Sequence, residues 1–140
     1  MKGFLVSFFT SSLSNFRAFA LIMGDMMKLG EMGEGLAVKF LKKKGYRIVE
    51  QNYKTNIGEI DIIAFDVEVL VFIEVKTRES IEFGLPFEAV NRRKRRKIVN
   101  VALSYLKRFD DLPQCRFDVV SIYYENGRPE CELIRDAFEA

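Results

Sequence analysis

The 140-residue chain has no histidine. Histidine is the commonest general base near neutral pH and the commonest transition-metal ligand. Its absence excludes Ser/His/Asp and Cys/His triads, HExxH metalloproteases, His-containing zinc fingers and nucleases that activate water with an imidazole. Any chemistry here must use carboxylates, lysine, arginine, hydroxyls or a hard metal ion. Cysteine is nearly as scarce. Cys115 and Cys131 are too few for a secreted disulfide framework and form no CxxC pair to grip zinc, so a reduced, cytoplasmic setting is expected. No uninterrupted apolar run approaches the length of a membrane span, and there is no internal repeat or low-complexity linker.

What is present is the balance of one compact domain, with 49% hydrophobic, 30% charged and 13% aromatic residues. The net charge is +2, but Arg92, Arg93, Lys94, Arg95, Arg96 and Lys97 are consecutive, so the rest of the chain is at −4. Basic charge this local concerns a partner rather than the fold. Residues 1–27 differ from the remainder, with only Lys2, Arg17 and Asp25 charged among Phe, Ser and Leu. They read as a leader, either disordered or upstream of the true start at Met23, Met26 or Met27. An interfacial helix and a secretory signal are the alternatives.

From residue 28 onward the pattern predicts order αβββαβ(β), a mixed β-sheet flanked by helices. Apolar Leu36, Ala37, Phe40 and Leu41 predict a helix over residues 31–44, with lysines in its last turn and Gly45 as its stop. YRIVEQNY reads as a strand. GEIDIIAF and VLVFIEVKT read as a hairpin turning at Val67 and Glu68. Val90, Ile98, Val101 and Tyr105 fall on one stripe and predict a helix over residues 86–109. RFDVVSIYY is a strand, ENGRPE a turn and CELI a short edge strand.

The hairpin sets a testable register. A turn centred between Val67 and Glu68 places Asp61 opposite Glu74, Glu59 opposite Lys76, Ile63 opposite Phe72 and Ile62 opposite Ile73. Glu59, Asp61 and Ile63 then share one face, and Ile60, Ile62 and Ala64 the other. Three carboxylates and one ammonium result on one face, a surplus of negative charge that a divalent cation such as Mg²⁺ would neutralise. The plainer reading is a solvated face with a Glu59–Lys76 salt bridge. Two helical residues favour the site. Glu34 lies beside the apolar stripe of Ala37, Val38 and Leu41, and Lys94 lies between Val90 and Ile98, so each helix offers an inward charge.

Asp61, twelve residues, then Glu74-Val75-Lys76 resembles the relaxed PD-(D/E)XK nuclease signature. The wider pattern is more specific. GEMGEGLAVKFLKKKGY, N-x(5)-GEIDIIA, VFIEVKTR, FGLPFEAV followed by Lys94, and RFDVV resemble the uncharacterised bacterial YraN family. Members of that family are similar to archaeal Holliday-junction resolvases and restriction endonucleases. The resemblance spans residues 28–124. It implies a restriction-endonuclease-like fold and a nuclease-like domain over residues 28–140. It further implies metal ligation by Asp61, Glu74, Glu34 and the Val75 carbonyl, with Lys76 as catalytic lysine beside these acids and Glu59 in support. A Mg²⁺-dependent endonuclease (Mn²⁺ as substitute), acting on DNA of branched or otherwise structured form, is the leading expectation. The basic run of residues 92–97 would contact phosphates, and a homodimer would be in keeping with junction resolvases. The competing expectation is a non-catalytic nucleic-acid-binding or adaptor module that keeps the fold.

Overall fold

The computed structural model describes residues 2–78 and 90–140, with side chains from residue 16 onward within them. By its contacts the chain forms two units, Met1–Met32 and Gly33–Ala140. Helix α1 (Lys2–Lys43) begins far upstream of the stretch that the apolar periodicity marks. No proline precedes Pro86, so nothing in the sequence breaks the helix earlier. In the first unit the described side chains include exposed Phe16, Phe19, Leu21, Ile22 and Met27. Among the described residues no helix is long and apolar enough to cross a membrane.

The second unit holds a five-stranded mixed sheet in the order β1-β2-β3-β4-β5: β1 (Arg47–Lys54), β2 (Glu59–Asp66), β3 (Val69–Arg78), β4 (Cys115–Glu125) and β5 (Arg128–Ile134). Only β3 and β4 pair in parallel, and helix α2 (Arg92–Leu106) lies in the connection between them. A parallel pair requires such a crossover, whereas the antiparallel neighbours can be joined by short turns. The expected order αβββαβ(β) is therefore the observed one, with the last strand fully formed.

Each helix covers one face. Ala37, Val38 and Leu41 of α1 pack with Ile62, Ala64, Val71, Ile73, Val120 and Ile122. Ile98, Val101, Ala102 and Tyr105 of α2 pack with Ile63, Leu70, Phe72, Phe117 and Val119. The odd and even residues of β3 and β4 divide between these layers, as strand geometry demands. Helix α1 ends in a Schellman arrangement: Gly45, at φ 91°, donates to the Lys42 carbonyl, and Tyr46 donates to that of Leu41.

Other boundaries also differ from the sequence pattern. Helix α2 starts at Arg92, because the Asn91 side chain accepts from the Lys94 amide at 2.9 Å and caps it; buried Val90 precedes the helix instead of starting its stripe. Residues 86–89, where the pattern places the helix start, lie outside the described residues. The last turn is also shorter than ENGRPE. Asn126 and Gly127 both have positive φ (51° and 73°), the conformation of a tight two-residue hairpin, so Glu125 pairs with Arg128 and the strand begins there.

Candidate functional site

The hairpin between β2 and β3 has the expected register. Asp66 pairs with Val69, Ile63 with Phe72 and Ile62 with Ile73. The ladder then stops, one position short of Asp61 and Glu74. In place of a backbone carbonyl, Asp61 Oδ2 accepts the Val75 amide proton at 2.8 Å. On the other side of β2, Gln51 pairs with Ile62 and Tyr53 with Ile60, so Asn52, at φ 52°, stands across from Asp61 and bends β1. The alternation of β2 breaks at the same point. Ile60 joins the α2-side core, not the α1-side core of Ile62 and Ala64 with which strict alternation groups it. The sheet thus opens where the acidic residue sits.

Asp61 and Glu74 are nearly inaccessible, at 9% and 5% exposure. Burial penalises the charged form of Asp61 and the Glu74 carboxylate repels it, so its pKa rises to about 7; the Val75 amide opposes the rise and the Glu34 charge adds to it. Lys76, two residues beyond Glu74 on β3, has a lowered pKa, first from burial and then from the charge of Lys94. The Lys94 ammonium pairs with Glu74 Oε1. Although burial works against it, that bond and the Glu74 charge hold the Lys94 pKa above the usual lysine range. Both helices therefore bring the charges expected of them.

The expected partners are brought together unevenly. Asp61, Glu74, Lys76 and Lys94 meet at one end of the sheet, and Glu34, half-buried, is close enough to act on Asp61 electrostatically. Among the described residues no group of three acidic or thiol side chains is placed to hold a metal ion, so Glu34 does not complete a three-carboxylate cluster with Asp61 and Glu74. Two carboxylates with no imidazole or thiol are nevertheless the donor chemistry of a hard cation, which commonly takes one or two protein carboxylates and fills its shell with water and substrate oxygens. Glu59 stands apart. It pairs across β1 with Lys54, 3.7 Å away, instead of with Lys76.

The basic run is divided by the helix. Lys94 turns toward Glu74, and the Arg95 Nε donates to the Val90 carbonyl at 2.7 Å while its guanidinium lies 5.6 Å from the Phe138 ring. Arg92, Arg93, Arg96 and Lys97 are exposed. Arg92, Arg95, Arg96 and Asn100 line an open cavity of about 390 Å³ with Glu139 at its rim. No acidic residue occupies the first turn of α2, although the helix dipole favours negative charge there.

Two buried polar residues went unread in the sequence. Ser121, 1% exposed, pairs with Lys76 across the β3/β4 ladder. Asp118, fully buried, pairs with Ile73, one ladder position from Glu74, and by strand alternation faces the α1 side of the sheet instead. Its carboxylate accepts from Arg116 Nε (2.8 Å) and Nη2 (2.9 Å), from the Tyr46 hydroxyl (3.1 Å) and from the Asp136 amide (3.0 Å). Arg116 also donates to Asp66 Oδ2 at 2.9 Å and to the Tyr46 hydroxyl at 2.8 Å. The signal was present as an arginine two residues before an aspartate on a strand, a spacing that puts both side chains on one face.

The family model for the uncharacterised protein family UPF0102 matches residues 33–122. That span includes Glu34, Asp61, Glu74, Lys76 and Lys94. A UPF0102 protein of Syntrophus aciditrophicus is 45% identical over 119 residues, covering 84% of this chain and 93% of the relative. UPF0102 protein STH1475 of Symbiobacterium thermophilum is 47% identical over 115 residues, covering 81% and 98%. A UPF0102 protein of Chlorobium limicola is 50% identical over 99 residues, covering 70% and 77%. The chain belongs to the UPF0102 family, the YraN family that its motifs resemble.

Proposed function

We propose that the protein is a metal-dependent endonuclease that hydrolyses phosphodiester bonds in DNA, with branched or otherwise structured DNA as the preferred substrate. The observation that carries this reading is the closeness of buried Asp61 to buried Glu74 where the β2/β3 ladder ends, with Lys76 on the same strand as Glu74. Repelling carboxylates out of water are costly unless something positive joins them.

The side chains divide the work. Asp61 and Glu74, with the Val75 carbonyl, would hold Mg²⁺ or Mn²⁺, which supplies charge neutralisation at the scissile phosphate and a water of lowered pKa. Asp61 is fixed for this by the Val75 amide. Lys76, whose ammonium gives up its proton more readily than an ordinary lysine, orients the attacking water or shares the charge that develops on the phosphate. Glu34 adds negative charge that acts on Asp61, and Lys94 pairs with Glu74. The exposed arginines of α2 and Lys97 take the flanking phosphates, which positions DNA without reading its sequence.

One observation favours a second reading, a binding module without turnover: Lys94 already neutralises Glu74. A single assay separates the two. Linear, nicked and four-way-junction DNA are incubated with Mg²⁺ or Mn²⁺ and the wild-type, Asp61→Ala or Lys76→Ala protein. Cleavage by wild type that both variants lose supports the enzyme. Binding without cleavage, or equal cleavage by all three proteins, removes it.

A further inference from the structure

We propose that Gly33 and Thr77 form a positioning pair whose close approach seats α1 on β3 and so keeps Glu34 within electrostatic reach of Asp61. This deepens the reading of Glu34 as part of the site and rests on it. A glycine inside a helix costs about 1 kcal/mol relative to alanine, so its presence calls for a reason. At Gly33 the reason is space. The residue is buried, and a β-carbon there would stand closer to Thr77 Oγ1 than non-bonded atoms approach. Thr77 is β-branched and in a strand, so it has few rotamers into which to withdraw. The next nearest atoms, Ile122 Cδ1 at 3.5 Å and Thr77 Cβ at 3.6 Å, are at ordinary contact distance. The obstacle is thus one hydroxyl oxygen.

The contact joins two site-bearing segments. Gly33 directly precedes Glu34, and Thr77 directly follows Lys76. Pushing the helix away at this point moves Glu34 from a carboxylate whose charge balance it affects. The same helix carries an internal control. Gly35 has nothing within 4 Å of a built β-carbon, so alanine is free to help the helix there.

The test compares Gly33→Ala, Thr77→Ala, the double variant, Gly35→Ala and Glu34→Gln. It follows the Val75 amide resonance, whose proton goes to Asp61, together with Mn²⁺ affinity and melting temperature. Gly33→Ala is expected to shift the Val75 amide in the same direction as Glu34→Gln and to weaken Mn²⁺ binding about tenfold. Thr77→Ala alone leaves both at wild-type values, and the double variant returns to them, because its closest contact becomes the 3.5 Å one to Ile122. Gly35→Ala leaves the amide in place and raises the melting temperature by about 3 °C.

A double variant as displaced as Gly33→Ala overturns the proposal. So does a Val75 amide that Gly33→Ala leaves in place, or one that Glu34→Gln fails to move. If Gly33→Ala does not fold, recovery of folding in the double variant supports the pair, and failure of both to fold overturns it. Absence of Mn²⁺ binding by wild type counts against the metal reading, while the amide comparison still decides the positioning pair.

Discussion

The two faces of strands β3 and β4 solve the same problem in opposite ways. On the α1 face, the fully buried Asp118 is surrounded by donors: Arg116 twice, the Tyr46 hydroxyl and a backbone amide. Arg116 in turn has acceptors in Asp118, Asp66 and Tyr46, and its pKa is raised well above the usual value, chiefly by its bonds to Asp118. One ladder position away, Glu74 on the opposite face and the Asp61 that it repels are almost as deeply buried, and the Lys94 charge disfavours the charged form of Lys76. The first cluster is a satisfied network and fixes packing. The second keeps like charges together, and perturbed titration of that kind gathers at functional sites. Burial of a charge does not separate structure from function; completeness of its partners does.

The contrast is testable by substitution. Arg116→Ala removes the main partner of a fully buried carboxylate and should destabilise the protein by about 3 kcal/mol in denaturant unfolding. Asp61→Asn should do the reverse, raising stability at pH 8 by on the order of 2 kcal/mol. The sign follows from the raised pKa. Between the ordinary value of 3.8 and about 7 the folded protein holds a proton that the unfolded chain releases, so wild-type stability falls as pH rises through that window. Asp61→Asn flattens the fall; an unchanged pH profile would break the contrast. Tyr46→Phe deletes one hydroxyl from the satisfied network and should cost about 1 kcal/mol, read from the urea midpoint at constant slope. Glu59→Gln, at a half-exposed pair with Lys54, should change stability by less than about 0.5 kcal/mol. A larger change would mean that Glu59 belongs to the acidic site after all.

Much of this was legible in the sequence because short-range rules governed it. The Val67-Glu68 turn fixes the β2/β3 register, and helical periodicity turns Glu34 and Lys94 inward. What was not legible depends on tertiary detail. The face change at Asp61 arises where a left-handed Asn52 meets the end of a ladder, and strict alternation cannot foresee it. Lys94 looked equally suited to phosphate and to carboxylate until α2 was placed over β3. Of the partners of Asp118 only Arg116 is local; Tyr46 comes from just before β1 and the Asp136 amide from beyond β5, so no local pattern reveals the whole network.

The decisive measurement is the shift in melting temperature on adding millimolar Mn²⁺ to wild type, Asp61→Asn and Tyr46→Phe, since a ligand that binds only the folded state raises it. Wild type and Tyr46→Phe should rise equally and Asp61→Asn should not rise. An equal rise in all three, or none in wild type, would contradict the assignment of the Asp61 and Glu74 carboxylates as the metal-binding site.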